Sequence, residues 1–202
     1  MRILAVSGSL RESSFNTSLL RAALEAASDG IELELWEGLG ELPLYDEDLE
    51  RDVPESARRL REAWAAADAI LFSTPEYNGS VPGGLKNAID WASRPPLFRP
   101  DGAGSAGAVS SHSLEAALRN KPVAVVGAST GQFGALWAQQ DLKRILGVAG
   151  ARVVGTEIPV SRAHERFDSE GRLLDGEVFA QLRLHLTTLA SEAVAAPDRV
   201  AA

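Results

Sequence analysis

Short apolar runs alternate with longer amphipathic ones along most of the chain. RILAVS (2–7), IELELW (31–36), AILFST (69–74), PVAVVG (122–127) and RVVGTEI (152–158) have the length and β-branched content of strands. Between and after them, apolar residues recur at helical intervals near 16–28, 54–67, 82–93, 133–148 and 175–194. Leu19, Leu20, Ala23 and Leu24 mark one face of the first helix, and Asn16 or Thr17 is a suitable N-cap. Pro54 suits the first turn of the second, and Leu182, Leu186 and Leu189 line one face of the last. Alternation of this kind predicts a parallel sheet with helices on both faces.

Five such units in 202 residues predict a three-layer, flavodoxin-like doubly wound α/β fold with strand order 2-1-3-4-5. The pattern gives one domain over 1–194 and a frayed tail over 195–202. One further stretch breaks the rhythm. LFRPDGAGSAGAVSSHS (97–113) is rich in Gly, Ala and Ser and reads as a long loop.

Composition narrows the chemistry. The net charge of −8 argues against nucleic acid or an anionic membrane face as partner, since both require a basic stripe. A small anion stays possible, because one arginine and a helix N-terminus suffice to make a local positive site. With no cysteine, a disulfide, a thiolate nucleophile and a Cys-x-x-Cys redox pair are excluded, so redox chemistry needs a bound cofactor. The N-terminal apolar run is as short as a strand and reads as neither signal nor span, which predicts a cytoplasmic protein.

In an open parallel sheet, ligands sit beyond the carboxyl ends of the strands, where the strand order reverses. With the order 2-1-3-4-5, the loops after strands 1, 3 and 4 surround that crevice, and these are the unusual loops of the chain. GSLRESSFN (8–16) gathers Ser9, Arg11, Ser14 and Asn16 around the amides of a helix start, a receptor for a terminal phosphate dianion. It lacks the lysine and spacing of a Walker A loop. TPEYNGSVPGGLKNAIDW (74–91) sets the turn residues Pro75 and Gly79 beside the flat ring of Tyr77 and the amide of Asn78, a surface for a planar ligand. GASTGQFG (127–134) takes a tight path through Gly127, Gly131 and Gly134 and presents the hydroxyls of Ser129 and Thr130.

GSLRESSFN, LPLYDEDLE (42–50), PEYNGSVPGGLKNAIDW and GASTGQFGA, in this order, resemble the motifs of the NADPH-dependent FMN reductase family, which includes quinone and chromate reductases. The resemblance implies bound FMN and a reduced nicotinamide, NADPH or NADH, as co-substrate. It implies hydride transfer to FMN and onward reduction of a small acceptor: flavin, quinone, azo compound or chromate-like oxyanion. It also implies a homodimer or homotetramer with active sites near subunit interfaces. Carried across by position, Ser9, Arg11, Ser14 and Asn16 would hold the FMN phosphate, with Phe15 and Thr17 in the same loop. Pro75, Glu76, Tyr77, Asn78 and Gly79 would meet the flavin ring or its polyol. Ser129, with the 131–134 turn, would close the ring's other edge, Thr130 and Gly131 being cofactor-binding residues there. Leu42 to Asp48 matches a family loop near the neighbouring subunit. The chain departs from the family between Pro96 and Lys121, where other members use a shorter link. No general base is required, because the flavin carries the chemistry.

Three other readings compete. GAGSAG (102–107) fits G-x-G-x-x-G but follows no strand, so it carries no dinucleotide role. GASTG (127–131) fits the G-x-S-x-G nucleophile elbow, with Ser129, Asp141 and His164 in the chain order of a serine hydrolase. A flavodoxin-like electron carrier shares the fold and the acidity, but its threonine-rich phosphate pattern is absent here.

Overall fold

The computed structural model describes residues 1–94 and 116–195. Strand β1 (Arg2–Ser7) lies between β2 (Glu32–Trp36) and β3 (Ala69–Ser73), and β3 pairs with β4 (Pro122–Ala128). All pairings are parallel, and β5 (Arg152–Val153) completes the order 2-1-3-4-5. The strands β3 and β4 are buried throughout, as the centre of a two-sided parallel sheet must be. Edge strand β2 alternates instead, with Glu32 and Glu34 turned to water.

Helices α2 (Glu55–Ala66), α3 (Gly83–Ala92) and α4 (Leu136–Val148) cover one face through Leu60, Trp64, Leu85, Ile89, Leu142 and Leu146. The other face is covered by α1 (Phe15–Ala26), the short α5 (Ala163–Arg166) and α6 (Gly176–Ala195), through Leu19, Leu20, Ala163, Leu182, Leu186 and Leu189. The Gly/Ala/Ser-rich stretch 97–113, GAGSAG within it and the tail beyond Ala195 lie outside the described residues.

Two boundaries differ from the sequence pattern. The run 152–158 does not form one strand: after β5 the chain leaves the sheet and returns as β6 (Pro159–Val160), also parallel to β4. Gly155, at φ +74°, makes the break. Its missing side chain admits the His185 ring, whose Nε2 would stand 2.9 Å from a Cβ there and lies 2.7 Å from Thr156 O. The helix expected from 133 begins at Leu136, because Gly134 (φ +56°) and Ala135 (φ +60°) are left-handed.

The strands end level at the future site. Ser7 is in register with Ser73, and Ser73 with Val126. Gly8 N donates to Ser73 O (2.8 Å) and Thr74 N to Val126 O (3.0 Å), so three neighbouring strands release their loops along one rim.

Candidate functional site at the rim of β1, β3 and β4

The rim is packed too tightly for a side chain at two points. A Cβ on Gly8 would lie 2.8 Å from Leu85 Cδ2 and 3.3 Å from Ser73 O, and one on Gly127 would lie 2.8 Å from Thr74 O. Neither position accepts a side chain without movement, so glycine at both lets the neighbouring strand ends and α3 pack close against the rim.

Asn16, in the first turn of α1, ties the ends of β3 and β4 together. It is buried; its Oδ1 accepts from Ala128 N (3.0 Å) and Ser73 Oγ (2.9 Å), and its Nδ2 donates to Ala128 O (3.0 Å). Its amide therefore serves the scaffold, with one Nδ2 hydrogen left over. Thr17 is likewise engaged, 2.9 Å from Ser7 Oγ. Ser7 Oγ also accepts from Ser9 N (3.3 Å). Ser7 and Ser73 escaped the sequence reading; the only signal was a hydroxyl ending each apolar strand.

Between these anchors the first loop is open. Ser14 is the N-cap of α1, its hydroxyl oxygen accepting from Asn16 N and Thr17 N with its hydrogen left to donate. Ser9 Oγ accepts from Arg11 N (3.3 Å). The N–H groups of Leu10, Glu12, Ser13, Ser14 and Phe15 have no acceptor among the described residues. Arg11 lies over the Phe15 ring, 5.4 Å from its centroid, and forms no ion pair among the described residues. Phe15 packs against Phe167 at 5.6 Å, so the loop's aromatic base is braced from below.

The second loop is a two-residue hairpin. Tyr77 and Ser80 exchange backbone bonds of 3.0 and 3.1 Å around Asn78 (φ +53°) and Gly79 (φ +75°), the positive-φ pair that Asn-Gly favours. Pro75 is buried at its base, while Tyr77, Asn78 and Gly79 are exposed. Glu76 does not point free: its Oε2 accepts from Ala138 N (3.1 Å), capping α4. The amides of Glu76, Asn78 and Gly79 have no acceptor among the described residues.

The third loop is stapled from outside. Ser129 N donates to Val160 O (3.1 Å), Ala163 N to Ser129 O (2.9 Å) and Arg162 N to Gly131 O (3.0 Å). A Cβ on Gly134 would fall 2.4 Å from the Pro159 carbonyl carbon. Buried Gln139 bridges Gly134 O (3.0 Å) and Ile158 N (3.0 Å), a clamp the sequence did not reveal. Thr130 and Gly131 stay exposed, as does the rim side of the turn.

The nucleophile elbow lacks its partners. Asp141 is bound to Ser80 and to Arg144 (2.6 Å), and the Ser80 hydroxyl, then Arg144, holds its carboxyl below the usual carboxylate range. His164 faces Glu165 at 3.6 Å, so Ser129, Asp141 and His164 form no relay. The segment around Leu42 to Asp48 is pinned to α2 and α3. Pro43 O accepts from Trp91 Nε1 and Asn87 Nδ2 (2.9 Å each), and buried Glu50 accepts from Arg61 Nη1 (3.0 Å).

The profile of the NADPH-dependent FMN reductase family matches residues 1–165. An NAD(P)H-dependent FMN reductase from Pseudomonas aeruginosa is 39% identical over 191 residues, 94% of this chain and 93% of that protein. A 2-hydroxy-1,4-benzoquinone reductase from a Burkholderia species is 32% identical over 192 residues, 95% of each chain. The solved structure of FerB, a flavoenzyme NAD(P)H:(acceptor) oxidoreductase from Paracoccus denitrificans, superposes with a TM-score of 0.77 at 32% identity, over 95% of this chain and 98% of that one. With the expected strand order built and three of its motifs on one rim, the chain belongs to the NADPH-dependent FMN reductase family.

Proposed function

We propose that the chain is an FMN-dependent oxidoreductase that uses NADPH or NADH to reduce a small acceptor such as a flavin or a quinone, with FMN seated on the rim of β1, β3 and β4. When bound, FMN supplies hydride acceptance from the nicotinamide and two-electron donation to the acceptor. The protein's part is position and electrostatics.

The donor set fits the group. The free amides of Leu10 and Glu12 to Phe15, the hydroxyls of Ser9 and Ser14 and the guanidinium of Arg11 take the phosphate dianion. Asn16 and Thr17 hold that loop in place by their bonds to the strand ends. The hairpin from Pro75 to Gly79 backs the flat ring, and its free amides meet ring heteroatoms. Ser129, Thr130 and Gly131 border the ring on the β4 side. Backbone donors there stabilise negative charge on the reduced ring without moving.

One observation carries this reading: the amides of Leu10 and Glu12 to Phe15, without an acceptor among the described residues, cluster at the rim where β1, β3 and β4 end in register. The visible spectrum of the purified protein, taken with added FMN, tests it. Flavin bands with FMN retained through gel filtration support the reading, and bleaching on mixing with NADPH alone separates a reductase from an electron carrier. A colourless protein that does not take up FMN refutes it.

The functional unit is a homodimer or homotetramer. In support, Leu44 is 82% exposed although its neighbours Pro43 and Tyr45 are both anchored, Tyr45 by its N–H on Asn87 Oδ1 (2.7 Å). We place the protein in the cytoplasm; among the described residues no helix is long and apolar enough to cross a membrane.

A further inference from the structure

Three aromatic rings among the described residues are more than a third exposed: Tyr77 at 53%, Phe133 at 47% and Trp137 at 48%. Every other described Phe, Tyr or Trp ring is buried or half-buried. All three exposed rings belong to the loops after β3 and β4 or to the first turn of α4. Among the described residues the fold therefore leaves large apolar aromatic surface in water at one place, and that place borders the candidate flavin seat.

The placement is rigid. Phe133 and Trp137 pack against each other in a tilted pair, with centroids 4.7 Å apart and planes at 51°. Between them the chain turns through Gly134 and Ala135, locked against Pro159 and clamped by Gln139. Tyr77 is held to the same region. The residue before it caps α4 at Ala138, next to Trp137, and Ser80 at the hairpin's far end bonds Asp141, one turn beyond Trp137. The hairpin thus runs alongside the first two turns of α4, and Tyr77 and the Phe133–Trp137 pair flank the same stretch of rim.

From this juxtaposition we infer that Phe133 and Trp137 are specificity-determining residues, forming an aromatic wall that selects flat, fused-ring acceptors over compact ones. The inference rests on FMN occupying the rim. A fused-ring quinone offers a face to stack on the pair, whereas a compact octahedral anion such as ferricyanide offers none. Because the wall stands formed before any acceptor arrives, little ordering is lost on binding.

The test uses the FMN-loaded protein and its Phe133→Ala, Trp137→Ala and Trp137→Phe variants. Two quantities are read: the equilibrium Kd of a 1,4-naphthoquinone for the oxidised protein, and KM for the naphthoquinone and for ferricyanide with NADPH. Either alanine variant is expected to raise Kd and KM for the naphthoquinone about fivefold to tenfold. The ferricyanide KM and the rate of flavin reduction stay unchanged, and Trp137→Phe recovers most of the loss. Equal losses for both acceptors, or an unchanged naphthoquinone Kd, overturn the inference. So does a change confined to molecular mass by light scattering, which would assign the pair to contact with a second copy of the chain. A wild-type protein that binds no FMN refutes the underlying flavin reading instead, so the two failures are distinct.

Discussion

Asn16 holds the ends of α1, β3 and β4 with one side chain, and its burial makes each of its bonds consequential. Asn16→Ala would strand Ala128 N, Ala128 O and Ser73 Oγ, each a buried polar group without its partner. We expect a loss of about 2–4 kcal/mol in unfolding free energy, measured by urea titration of the apoprotein. Arg11 should behave in the opposite way. It is exposed and joined to the protein by its contact with Phe15, so Arg11→Ala leaves apoprotein stability unchanged. It should weaken FMN binding by about 1.5–3 kcal/mol, roughly tenfold to a hundredfold in Kd by fluorescence titration. Unchanged affinity would remove Arg11 from the phosphate site. Both residues stand in one motif and have the polar character of ligand-binding groups in the sequence. Burial, which the sequence does not display, separates the lock from the contact.

Among elements, the hairpin after β3 and helix α4 behave as one piece, tied by Glu76 at Ala138 and by Ser80 at Asp141. The Ser80 hydroxyl and Arg144 hold the Asp141 carboxyl below its ordinary value of 3.8. The folded state thus binds this proton more weakly than the unfolded state. Its contribution is full above that ordinary value and fades as the pH falls through the lower, folded one. Ser80→Ala should therefore be less stable than the parent at neutral pH, with the gap between their urea midpoints closing as the solution is acidified below 3.8. A gap of constant size across that range would assign the loss to something other than the carboxylate. The elements themselves were legible because their apolar periods are strong: β1 has the very boundaries of RILAVS, and β3 and β4 end within a residue of their runs. The broken strand after α4 was not legible. RVVGTEI keeps a strand's composition, and only the His185 ring, from a helix thirty residues away, shows why Gly155 must leave the sheet.

Over the whole molecule, the position of the candidate site follows from topology. Three donor-rich loops become one surface because the strand order sets β1, β3 and β4 side by side, and the sequence contained both halves of that inference. Net charge adds a consequence the local geometry hides. The chain carries −8, while FMN and NADPH are anions that must approach it through that field. Arg11 acts only at contact range, whereas the excess carboxylates act over a Debye length. That length shrinks from about 30 Å at about 0.01 M salt to about 8 Å at physiological ionic strength. Raising the salt over this interval screens the long-range repulsion before it affects the bonded phosphate. The association rate of FMN with the apoprotein, followed by flavin fluorescence in stopped flow, is therefore expected to rise. Riboflavin, which lacks the phosphate and its charge, should associate at a rate indifferent to salt. An FMN rate that falls instead would mean that the positive field of the 8–16 loop outweighs the charge of the rest of the protein.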